Sequence, residues 1–243
     1  PNTNFPPVLM KTLVSSSVLA AILCSGSASG SLIITGVFDG PLPGGDPKGV
    51  EIYATTAIAD LSLFAIGSAN NGGGTDGPEA VLPTVSLAAG QFFYIANSAD
   101  GHFTQWFGFA PDHLGAGGGV NHNGDDAIEL FFDPTGAFSG GESVIDVFGD
   151  INTDGSGQPW DSLDGWAYRN DGVGANGGTF DANNWSFSGA NAWDRDDNFA
   201  GGTDNGTNLT ATPPFPTGSY VIPEPTIALL GGLSLLFLLR RRN

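Results

Sequence analysis

Between residues 31 and 200 the apolar positions come in short runs closed by Gly, Pro, Asn or Asp, the punctuation of strands joined by turns. Leu32, Ile33, Ile34 and Val37-Phe38 stand before Asp39-Gly40-Pro41 and read as a first strand. Residues 49–55, with Val50, Ile52 and Tyr53, supply a second, and residues 60–66, with Leu61, Leu63 and Phe64, a third. Residues 67–80 carry no apolar period and read as a mobile loop. Residues 84–97 place two apolar segments on either side of Ala89-Gly90, and residues 103–109 add aromatic side chains. Residues 127–132 and 144–148 flank a turn-rich connection, and residues 164–168 give one more strand. No convincing helical period runs through this body. Eight or nine short strands predict an all-β chain folded as an antiparallel β-sandwich with long loops.

The two flanks follow a different pattern. From Met10 the chain has one Lys11, an apolar run from Leu13 to Leu23, and then Gly26-Ser27-Ala28. That is the layout of a signal peptide over residues 10–30, read by the Sec translocon and cleaved after Ala28. Residues 1–9 read as an upstream extension. The single cysteine, Cys24, falls within this leader, and Leu23 before it is not the small residue that lipoprotein processing requires. The processed body therefore has no disulfide, thiolate nucleophile or Cys metal ligand.

At the other end, residues 226–239 are 14 almost purely apolar positions, about 21 Å as a helix. Adding residues 221–225 brings the span to about 28 Å, near the ~30 Å of a bilayer core. Arg240, Arg241 and Arg242 then form a positive-inside stop, with the body outside. The expectation is a C-terminal transmembrane helix, balanced by an N-terminal signal helix. Residues 201–220, rich in Thr, Pro and Gly, read as a flexible stalk before the anchor.

Pro223-Glu224-Pro225, the apolar span and the arginine cluster together resemble the PEP-CTERM sorting signal of Gram-negative bacteria. The resemblance covers residues 221–243. It implies that an exosortase, a membrane protease with a catalytic Cys, removes the tail near Pro223-Glu224-Pro225 after transient residence in the inner membrane. The protein would then reach the cell surface or extracellular matrix, and the reactive thiol would be the partner's.

Within residues 31–200 the order of strands resembles the lamin-tail domain, an immunoglobulin-like sandwich. Three features carry the likeness: a Glu51-containing strand after a turn, a Leu61-containing strand, and Asn123-Gly124-Asp125-Asp126 leading into an apolar strand that precedes Ile145-Asp146. Residues 150–200 exceed what a minimal domain of that kind needs. The resemblance implies a binding or scaffold module with no catalytic set.

Charge sharpens this picture. The net charge is −18, and only Lys48, Arg169 and Arg195 offset the 24 acids between Asp39 and Asp204, leaving the body at 3 − 24 = −21. Such a surface repels phosphate backbones and excludes nucleic acid as a partner. It suits divalent cations or basic partners, or simply keeps the protein soluble.

Asp150, Asn152, Asp154 and Asp161, with Gly155 between them, match positions of a calcium loop, where alternating oxygens wrap a hard cation. Asp161 stands where a longer Glu is usual, so a plain Asp/Asn/Gly turn is the other reading. Calcium is the one cofactor suggested. Residues 121–126 form a second oxygen-rich turn, and His102, His113 and His122 share no ligand spacing. Trp106, Trp160, Trp166, Trp185, Trp193 and Tyr168 could build a face for extracellular polysaccharide or pack as core. No catalytic residue stands out. Rival readings are a carbohydrate-active hydrolase with carboxylates in residues 150–204, and a calcium-dependent adhesin.

Overall fold

The computed structural model describes residues 31–42, 44–97, 101–115, 119–193 and 214–222. The signal segment with Ala28, the Pro223, Glu224, Pro225 motif and Arg240, Arg241 and Arg242 lie outside the described residues. Among the described residues no helix is long and apolar enough to cross a membrane.

Among the described residues ten strands form two sheets. They are β1 (Leu32–Asp39), β2 (Gly49–Ala54), β3 (Phe64–Ala69), β4 (Ala80–Val81), β5 (Phe92–Ala96), β6 (His113–Leu114), β7 (Ala127–Phe132), β8 (Ser143–Phe148), β9 (Gly165–Arg169) and β10 (Trp185–Phe187). The larger sheet has the order β10-β9-β1-β2-β5-β6 and the smaller β4-β3-β7-β8. All pairings are antiparallel except β5 with β6. The all-β sandwich expected from the apolar pattern is present.

Alternation along the strands explains how the layers meet. Ile34, Ile52, Ile95 and Ala167 from the larger sheet face Ile66, Ile128, Leu130 and Phe148 from the smaller, filling the space between them with fully buried side chains. Removing this apolar surface from water is the main force holding the sheets together.

The larger sheet is covered on its other face too. Ile33, Phe38, Trp166 and Tyr168 there pack with Phe103, Trp106, Trp193, Phe215 and Tyr220 into a second, largely aromatic core. This is why β1 is apolar without alternation: both its faces are buried. A bulge between Ile34 and Gly36 leaves Thr35 unpaired and shifts the phase, so Leu32 and Ile34 face inward before it and Val37 after it.

Helix α1 (His102–Phe107) forms part of that cover. The sequence reading left no place for a helix here. Yet Phe103, Trp106 and Phe107 recur at helical spacing, and Gly101 and Gly108 at its two ends take left-handed conformations. Two strand expectations also shift. Asp60 accepts a hydrogen bond from Ser62 N–H and starts a single 3-10 turn, Leu61–Leu63, so β3 begins at Phe64 and continues into residues expected to be loop. The rest of that loop is tied down: Asn71 N–H donates to Asp126 and Gly74 N–H to the Ile151 carbonyl.

Residues 214–220, expected within a stalk, pack onto the larger sheet instead, together with residues 221–222, expected at the start of the sorting segment. The Phe215 ring lies over Gly36, where a Cβ would stand 2.3 Å from it, and Tyr220 is 2% exposed. Residues 150–193, which the minimal-domain pattern did not place, supply β9 and β10 at the edge of the larger sheet. The exposed edge of β8 is blunted by a side chain: Val147 N–H donates to Asn176 Oδ1 at 2.9 Å, and Asn176 Nδ2 donates back to the Val147 carbonyl at 2.7 Å.

Candidate functional site

Where β8 ends, the chain turns through residues 149–163, and there the surface opens into a cleft of ≈ 460 Å³. One wall is Gly149 to Thr153 with Gln158; the opposite wall is Gly178, Thr179, Phe180 and Ala182; Trp160 lies between them. Gly149 adopts φ +80, and a Cβ there would meet Ala127 and Trp160 at about 3 Å. The Trp160 ring stands edge-on to Phe148 at 5.9 Å and to Phe180 at 6.0 Å. These aromatic rings close the end of the inter-sheet core, and the cleft sits above them.

The wall is held by its own polar side chains. Asp150 accepts from Asn152 N–H at 3.0 Å and from the Thr153 hydroxyl at 2.8 Å, a local turn of the Asx kind. Asp154 accepts from Ser156 N–H, while Asp161 accepts from Gly157 N–H through one oxygen and Leu163 N–H through the other. Gly155 N–H donates to the Asp125 carbonyl, and Ser156 Oγ to the Asp125 carboxylate, tying this segment to the 121–126 turn.

The four residues in the calcium pattern are thus spread over three turns, with Asp150 and Asn152 in one and Asp154 and Asp161 each in another. Among the described residues no three His, Cys, Asp or Glu side chains are placed to hold a metal ion. Gly155, read as the bend of such a loop, has another reason to be glycine: a Cβ there would lie 2.5 Å from the Trp160 ring.

The aromatic residues do not form one face. Trp106, Trp166, Trp193 and Tyr168 are buried in the outer aromatic core, and Trp185 in the inter-sheet core; only Trp160 of the six lines the cleft. Core packing wins at those five positions because each ring removes a large apolar area from water.

Sequence reading missed the buried polar groups. Glu51 is 0% exposed beneath the 214–222 segment. Its carboxylate accepts from Thr35 Oγ1 at 2.7 Å, Tyr168 Oη at 2.8 Å and Gly218 N–H at 2.8 Å. Tyr168 Oη in turn accepts from Ser219 and Tyr220 N–H groups, each at 3.0 Å. Burial raises the Glu51 pKa and outweighs the lowering by these hydrogen bonds.

A second group gathers at the β1–β2 turn. Lys48 Nζ lies 3.5 Å from Asp39 and donates to the His122 carbonyl at 2.7 Å. Burial pushes the Asp39 carboxyl up to about 7 and, with the Lys48 charge adding to it, the His122 imidazole down to about 3. His122, within the 121–126 turn, is 0% exposed. No local signal in the sequence announces these burials, because they follow from which distant segments cover the sheet.

Gln158, Thr179 and Phe180 also escaped sequence reading, since the 178–182 wall reaches the cleft only through the return of β9 and β10. Comparison with family models, curated proteins and solved structures finds no match.

Proposed function

We propose that the protein is an exported, non-enzymatic surface or extracellular-matrix protein, sorted through its C-terminus and carrying its β-sandwich as a binding module. The observation that carries the sorting half is the conjunction of Pro223-Glu224-Pro225, an apolar run and Arg240, Arg241 and Arg242 at one end with a signal-peptide layout at the other. On this reading an exosortase is the processing partner and the inner membrane a transient station. The sandwich is of the lamin-tail, immunoglobulin-like kind.

The packing of residues 214–222 fits this assignment. Residues 221 and 222, which immediately precede Pro223 in the sequence, belong to the packed domain. Val221 is itself held on both sides: its N–H donates to Asp171 and its carbonyl accepts from Gly172 N–H. A protease acting at the motif would work against the face that carries residues 170–174.

The binding half is supported by the cleft; Asp39, Glu51 and Asp146, by contrast, are buried and bound to structural partners.

Mass spectrometry of the C-terminal peptide from the native host tests the sorting assignment. Processing predicts a new terminus near Pro223-Glu224-Pro225 and loss of the arginines. A mature protein that retains Arg240, Arg241 and Arg242 would overturn it.

A further inference from the structure

We infer that the cleft between residues 149–153 and 178–182 is a binding site for a neutral saccharide of one or two rings. This inference rests on the reading of the sandwich as a binding module and is independent of how the chain is sorted. Three features of the cleft carry it.

The first is chemical freedom. The Asn152 and Gln158 side-chain amides and the Thr179 hydroxyl border the cleft and make no side-chain hydrogen bond to other described residues. Each amide presents a donor and an acceptor, the pair that a sugar's neighbouring hydroxyls complement. The second is the apolar wall, where the half-buried Phe180 ring is backed by buried Trp160, 4% exposed, so that Phe180 is the ring placed to meet the C–H face of a pyranose.

The third is charge. Among the described residues the cleft has no cationic lining residue, and the one carboxylate lining it, Asp150, already accepts two hydrogen bonds. Lys48 and Arg169, the only Lys or Arg among the described residues, are 2% and 1% exposed and paired with Asp39 and Asp146. An anionic ligand would find no counter-charge here and would meet the field of an acidic protein. Neutral hydroxyl-rich rings avoid that cost. At ≈ 460 Å³ the site falls within the ordinary range for small-ligand pockets, roughly 300 to 1,000 Å³.

The test uses the full-length protein in detergent on an array of neutral oligosaccharides (glucans, mannans and galactans of two to six units) beside uronate and sulfated ones. Wild-type protein should retain one or more neutral glycans. Asn152→Ala combined with Gln158→Ala should weaken that binding at least tenfold with an unchanged melting temperature, since both side chains are exposed.

Retention of neutral glycans undiminished in the double variant would overturn the placement in this cleft while leaving a sugar-binding module. Preference for the anionic glycans, or no retention at all, would overturn the ligand class. None of these results depends on the C-terminal mass measurement.

Discussion

Arg169 and Asp146 join the two sheets through a single buried contact of 2.6 Å between β9 and β8. The pair also completes the backbone where β1 bulges. Ile34 N–H donates to Asp146 at 2.8 Å, Arg169 Nε donates to the Ile34 carbonyl, and Asn176 N–H donates to Asp146 at 3.0 Å. The guanidinium further lies 4.6 Å from the centre of the Trp185 ring. Replacing Arg169 by Met strands a buried carboxylate and should cost about 3–5 kcal/mol, read by urea unfolding. Buried ion pairs elsewhere often tolerate apolar replacement of both partners. Here Asp146→Leu with Arg169→Met should give little recovery, because the backbone groups of Ile34 and Asn176 would remain without partners. In the sequence, Asp146 and Arg169 look like ordinary strand polar residues; their meaning comes from facing each other across the core.

At the scale of elements, the question is why residues 214–222, which form neither strand nor helix, dock at all. Its anchors are Phe215, which contacts Phe38, Phe107 and Tyr168 at ring separations of 5.2, 5.8 and 5.4 Å, and Tyr220, which meets Tyr53 at 5.1 Å. Between them Gly218 N–H reaches Glu51, so the buried carboxylate serves as a latch for passing backbone. Gly36 makes the approach possible. Gly36→Ala should force the Phe215 ring away and cost about 1–3 kcal/mol, measured as a fall in melting temperature. Adding Phe215→Ala to Gly36→Ala should cost less than the two single changes summed, because the clash and the ring vanish together. Composition suggested a stalk because Thr, Pro and Gly dominate residues 201–220. Two aromatic side chains decide otherwise for the described part.

For the whole molecule, burial of acids sets the response to pH. Asp39, Glu51, Asp126 and Glu129 are all raised above their ordinary pKa values, with burial as the main cause. A carboxyl whose folded pKa is raised binds more protons folded than unfolded, so stability falls as pH rises between the two values. For Asp39 that window runs from 3.8 to about 7. His122 acts in the opposite sense: its folded pKa is lowered from 6.5 to about 3, so stability falls as pH drops through that range. Several carboxyls outweigh one imidazole above their ordinary pKa values, and below those values His122 prevails. Stability should therefore peak near pH 4, at the ordinary carboxyl values of 3.8 to 4.5. Urea unfolding across pH 3 to 8 would show this, with Asp39→Asn flattening the decline between pH 5 and 7 by about 1–3 kcal/mol. A monotonic rise toward pH 8 would contradict it.

What the chain determined by itself is whatever depends on local pattern. The β class, most strand positions and the acidic, cation-poor body follow from apolar grouping, turn residues and charge, and those signals act over a few neighbouring positions. Tertiary structure alone decided which faces are covered. The second aromatic core, the burial of Glu51, Asp39 and His122, the pairing of Asp146 with Arg169 and the two walls of the cleft join segments from 23 residues apart, Asp146 with Arg169, to 177 apart, Phe38 with Phe215. Period and composition are blind at that range. A strand residue facing away from one core becomes buried only when a distant segment supplies the second.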